Sequence, residues 1–239
     1  MVDIKSNNIF LEKENHIYKL NDDLDFGFTS VTTFVGDFFE KFDSHGIATK
    51  LTMTHPKYKH LTVEELLGQW KKKADYGTLV HEEIELYIKK QLQPQDDRSI
   101  RAVKWLDSYK MQAKYQLHAE KIIYSKELKL AGTIDLLMYD KNMDTYIIID
   151  WKTSRKIETS SYGRKTGNHD ITRNLEDCNY NHYSLQLSLY RYILENYYNI
   201  NISNQMIVHI TDRDCRGYVT PYLINHIQLM ANSQINTKD

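Results

Sequence analysis

The chain has 239 residues, with 31 Lys and Arg against 32 Asp and Glu and a formal net charge of −1. That balance excludes a protein that coats nucleic acid through bulk positive charge, since phosphate neutralisation supplies most of such affinity; a nucleic-acid enzyme is still allowed if its cations are clustered. No run of about 18 apolar residues is available for a membrane span, and two distant cysteines, Cys178 and Cys215, supply neither a disulfide framework nor a four-thiolate metal set.

Residues 1–19 mix Asp3, Glu12 and Glu14 with Lys5 and Lys13 and contain no apolar stretch, so they read as neither signal nor transit peptide. The expectation is a soluble intracellular protein in a reducing compartment. Ile9 to Lys19 alternates like a pair of strands around a turn at Glu14-Asn15. Ser30-Val-Thr-Thr-Phe-Val reads as an N-cap and helix start. Leu61 to Lys73, Tyr76 to Leu92 and Ile100 to Tyr115 carry helical spacing. The texture then changes to three short runs rich in Ile, Leu and Tyr, at Glu120 to Glu127, Leu130 to Asp140 and Tyr146 to Trp151, separated by turn residues as in an antiparallel meander.

Residues 153–178 are polar and irregular, a long loop of the kind that is often functional. Tyr183 to Tyr198 alternates like a strand at its start, but sixteen residues without Gly or Pro are too long for one, and length decides for helix. Gln205 to Thr211 and Gly217 to Thr220 read as strands, and Pro221 to about Ser233 as a closing helix. No repeat or linker breaks the chain. The order of elements predicts an α+β domain with a helical N-terminal portion.

The chemistry concentrates in Gly132-Thr-Ile-Asp135 and Ile148-Ile-Asp150-Trp-Lys152-Thr-Ser. Asp150 and Lys152, at i and i+2 of a strand, project from one face. Asp135 lies between Ile134 and Leu136, where an isolated carboxylate needs a partner or a metal. Pairing through the Asp140–Asp144 turn lets the two aspartates approach. Two carboxylates and a lysine suit Mg²⁺ or Mn²⁺, a cation that acidifies water and neutralises phosphoryl charge. Lys152 would then orient the water, take its proton if its own pKa is depressed, or stabilise developing charge. The competing reading is a plain salt bridge.

These paired motifs resemble those of the PD-(D/E)XK nucleases, in particular the RecB-like branch that includes mitochondrial genome-maintenance, phage and viral exonucleases. Gly77-Thr-Leu-Val-His81 upstream and Gln186-Leu-Ser-Leu-Tyr190 downstream match that branch's histidine helix and Gln-x-x-x-Tyr helix, in the expected order. The resemblance, over roughly Tyr76 to Ile210, implies a restriction-endonuclease-like core with a central mixed β-sheet flanked by helices, preceded by an extension over residues 1–75. It implies Asp135 and Asp150 as metal ligands with His81 and the backbone carbonyl of Trp151, Lys152 as the catalytic lysine, and Gln186 and Tyr190 as residues that contact DNA or support the site.

Glu120 is a secondary candidate for aiding the metal. Glu85 could support His81 at i+4, although a solvated face suits it better. Lys71–Lys73 and a cluster of Arg155, Lys156, Tyr162, Arg164 and Lys165 in the long loop are the local cations; the second, with its aromatic, suits a single-stranded path. The implied function is a Mg²⁺- or Mn²⁺-dependent exonuclease acting on single-stranded or frayed DNA ends. A structure-specific or restriction-like endonuclease, a catalytically silent nucleic-acid-binding scaffold and, last, a sugar hydrolase with paired carboxylates are the alternatives. Repair, recombination, replication and viral genome maturation all remain open as settings.

Overall fold

The alternation at the N-terminus closes into a hairpin of β1 (Ile9–Glu12) and β2 (Ile17–Leu20), with Glu12 opposite Ile17. This and all that follows come from a computed structural model, which describes residues 8–110 and 115–236. The two-residue strand β3 (Thr29–Ser30) leads into α1 (Val31–Gly36), and Ser30 is its N-cap, accepting from the Thr33 amide at 3.0 Å. The sequence does not announce α2 (Ser44–Thr54), which has weak amphipathic spacing and is capped by Asp43.

The two helices expected at 61–73 and 76–92 are one, α3 (Val63–Lys90). Thr62 and Glu65 form a reciprocal capping box at its start, and Gln91 ends it in a left-handed conformation (φ 55°). Lys71–Lys73 therefore lie on the same helix as His81, exposed. Next comes α4 (Asp97–Lys110), which starts earlier than the expected 100–115; residues 111–114 of that expectation lie outside the described residues, and Tyr115 belongs to a strand.

The meander is present. β4 (Tyr115–Ser125), β5 (Leu130–Asp140) and β6 (Thr145–Lys152) run antiparallel, joined between the last two by the expected turn, with Tyr139 opposite Tyr146. After the loop come α5 (Asn179–Tyr197), β7 (Ile202–Ile210), β8 (Cys215–Val219) and α6 (Ile224–Asn236). β7 lies parallel to β6 and antiparallel to β8, and β3 pairs parallel with the start of β5, giving a six-stranded mixed sheet. Helices cover both faces: α1, α5 and α6 share one core with Ile134, Leu137 and Ile148, while α3 and α4 enclose the other around Leu136, Ile149 and Trp151. The expected α+β arrangement, a mixed sheet flanked by helices, is what forms.

α5 explains its own ambiguous pattern. Ser184 to Tyr190 are all buried, so this helix is enclosed on every side and need not show one apolar stripe. Burial of Leu185, Leu187, Leu189 and Ile193, each with no exposed surface, contributes about 1.5–3 kcal/mol per side chain. Among the described residues no helix is long and apolar enough to cross a membrane.

Candidate active site

β5 and β6 pair regularly only from Leu136 opposite Ile149 to their turn. One step further on, where Asp135 meets Asp150, the ladder stops. There the Asp135 carboxylate accepts the Trp151 amide N–H through Oδ2 at 2.8 Å, so a side chain replaces the missing backbone partner. The same oxygen lies 3.5 Å from His81 Nδ1, delivered by the middle of α3. Asp150 and Lys152 share a face as the two-residue period requires, and Lys152 Nζ sits 2.5 Å from Asp150 Oδ2. The other Asp150 oxygen accepts from Gln186 Nε2 at 3.1 Å, and Gln186 also donates to the Tyr190 hydroxyl at 3.4 Å.

The structure thus brings together His81, Asp135, Asp150, Lys152, Gln186 and Tyr190, all lining one pocket of about 670 Å³. Gln186 and Tyr190 are both buried. Tyr190 also packs against Gly132, where an added Cβ would come 2.6 Å from its ring. That close approach is the reason a glycine precedes the aspartate. The contact of Trp151 with the site runs through its N–H, while its ring is buried edge-on to Trp105 at 5.8 Å on the far face of the sheet.

Electrostatics follow from burial. The Asp150 carboxyl is pushed up to about 6, by desolvation first and by the Asp135 charge, with Lys152 pulling the other way. Burial alone would lower Lys152, but Asp150 and Asp135 outweigh it and hold the ammonium above its ordinary pKa. A lysine with a depressed pKa, one option for its role, is therefore not found in the metal-free site. The ammonium also lies 4.5 Å from the centre of the Tyr183 ring. Glu120, on β4, is pushed up to about 8 by burial and then by Asp135 and Glu85.

The site residues fit a divalent cation. Ligand atoms of His81, Glu120 and Asp135 all lie within 4.8 Å of one another, two hard oxygens and an imidazole. Among the described residues, buried Asp150 Oδ2 faces only the Lys152 ammonium.

The loop cations are not gathered in the same way. Arg155 and Lys156 follow the site directly and line a shallow pocket with Glu158 and Asn179. Tyr162 is 97% exposed, beside Gly163 and Arg164, both at positive φ. Lys165 is paired with Glu40 at 2.5 Å, and none of these last residues lines the main pocket. Glu85 pairs with Lys89 at 2.7 Å and not with His81; it is half-buried and lines the main pocket, so the solvated face expected for it is not what forms.

Several lining residues escaped the sequence reading. Leu11, Lys13, His16 and Tyr18 come from the hairpin, which no local pattern connects to the site; the Tyr18 hydroxyl meets Thr133 Oγ1 at 3.0 Å. Tyr183 was within reach, because it precedes Gln186 by three positions and Tyr190 by seven on one helix face.

A sequence model described as the PD-(D/E)XK nuclease superfamily matches residues 55–201, more than half of the chain. The chain belongs to the PD-(D/E)XK nuclease superfamily. Its substrate class is accordingly nucleic acid, and its chemistry the metal-dependent hydrolysis of that superfamily. Among solved structures this nuclease is similar to SSO0001, with 14% identity and a TM-score of 0.39 over 88% of this chain and 76% of that one. It is also similar to a protein described as a candidate exonuclease from Eubacterium rectale, with 13% identity and a TM-score of 0.39 over 87% and 77% of the two chains. No curated protein matches it.

Proposed function

We propose that this nuclease is a Mg²⁺- or Mn²⁺-dependent DNA exonuclease of the RecB-like kind, acting on single-stranded or frayed ends. One observation carries the reading: His81, Asp135, Asp150 and Lys152, drawn from a helix and two strands, line a single pocket backed by Gln186 and Tyr190. Membership of the superfamily supports the nuclease class, and the ordered set of four motifs supports the branch.

His81, Asp135, Asp150 and the Trp151 carbonyl would hold the cation, which when bound supplies positive charge to the scissile phosphate and acidifies water. The chain's own groups do the rest. The Trp151 N–H and His81 hold Asp135 in place, and Gln186 holds Asp150. Lys152 would orient the attacking water and stabilise the charge that develops on the phosphoryl oxygens. The hairpin, α3 and α5 wall the pocket, which favours a strand end or a single strand over an intact duplex. Arg155, Lys156, Tyr162, Arg164 and Lys165 would bind the strand outside the pocket.

The test compares linear and covalently closed circular single-stranded DNA of one sequence in Mg²⁺. The linear form should be degraded to short products and the circle left intact. Cleavage of the circle at a comparable rate would make the protein an endonuclease instead.

A further inference from the structure

Glu120 lies directly across from Asp135. On β4 and β5 the flanking pairs are Ala119 with Leu136 and Lys121 with Ile134, and the pair between them is missing from the ladder. At that break Glu120 takes a left-handed backbone conformation, φ 50°, inside an eleven-residue strand. Its half-buried carboxylate makes no hydrogen bond or ion pair with any described residue. Of the lysines around it, Lys89 is already held by Glu85 at 2.7 Å.

A carboxylate withdrawn from water beside a second one, without a cation, is an unfavourable arrangement that bound metal relieves. The spacing agrees. One ligand atom each from Glu120, His81 and Asp135 falls within 4.8 Å of the others, whereas Asp150 turns its Oδ2 to Lys152.

We propose that Glu120 is a further ligand of the divalent cation, binding it together with His81 and Asp135 from the β4 side. The proposal rests on the metal-dependent reading above and adds to it a ligand from a strand that carries neither of the paired motifs. The backbone break at Glu120 is then the device that turns its carboxylate into the gap left where β5 and β6 part.

Calorimetric titration of the folded, metal-free protein with Mn²⁺ tests it, using wild type, Glu120→Gln, Glu120→Asp and Asp135→Asn. Glu120→Gln should weaken Mn²⁺ at least tenfold while its metal-free melting temperature stays at or above that of wild type. Glu120→Asp keeps the charge but withdraws it by one methylene, and should also lose affinity. A Glu120→Gln affinity within twofold of wild type overturns the proposal. So does a weakened Gln variant beside an unchanged Asp variant, which would make Glu120 a remote charge rather than a ligand. If wild type and Asp135→Asn both fail to take up Mn²⁺, the metal-dependent reading itself falls, and that failure is distinct from the other two.

Discussion

Gly132 shows how tightly the residues behind the site are fitted. An added Cβ there would meet the Tyr190 ring at 2.6 Å and its hydroxyl at 3.0 Å, and that ring is buried. Gly132→Ala should cost roughly 1–3 kcal/mol, the usual penalty of overpacking, measured by chemical denaturation. It should also lower the cleavage rate, because Tyr190 bears on Gln186 and Gln186 on Asp150. A variant of wild-type stability and rate would contradict this. At the same scale the reach of sequence reasoning is plain. The i, i+2 rule sufficed to put Asp150 beside Lys152, and the turn at Asp140–Asp144 sufficed to bring Asp135 near Asp150. Glu120 was a weaker candidate because its orientation depends on a backbone break that composition does not reveal. Tyr18 had no local signal at all, since its contact with Thr133 joins residues 115 positions apart.

Among the elements, α3 was read as two helices because charge crowds its middle, from Lys71 to Asp75, and hides the apolar stripe. Tertiary burial of Leu66, Val80 and Ile84 carries the helix through. α5 was legible by length alone, and the hairpin by alternation, but α2 was not, its single buried residue being Ala48. The loop 153–178 was correctly read as irregular, yet its cations differ in availability. Lys165 is committed to Glu40 and Lys156 lies 3.6 Å from Glu158, leaving Arg155 and Arg164, both exposed, as the freer pair. Reversing these two arginines to glutamate should weaken single-stranded DNA binding and flatten its dependence on log salt by about 1.4. Binding would be measured by fluorescence anisotropy with an Asp150→Asn background to prevent cleavage. An unchanged slope would remove the loop from the DNA path.

For the whole molecule, the site is bought at a cost in stability that pH should expose. Glu120, pushed up to about 8, and Asp150, pushed up to about 6, both titrate above their unfolded values. The folded protein therefore takes up protons before the unfolded chain does, and stability rises as pH falls through those values toward the ordinary carboxylate range. Metal-free protein should melt at a higher temperature at about pH 6.5 than at about pH 8.5, which lie either side of the Glu120 carboxyl, and Mn²⁺ should remove most of the difference. Equal melting temperatures without metal would show that these carboxylates are not strained. The fold class was legible because the switch from helical spacing to short β-rich runs survives in the sequence. What was not legible is where the sheet opens, a property of three strands at once. Whether that opening is a working centre is decided most directly by following end-labelled single-stranded DNA with and without Mg²⁺, using wild type, Asp150→Asn and Lys152→Ala. Wild type should release nucleotides only with Mg²⁺, and both variants should fall by at least about a hundredfold, the scale of losing a transition-state contact; cleavage that persists in either variant or without the metal would contradict the account.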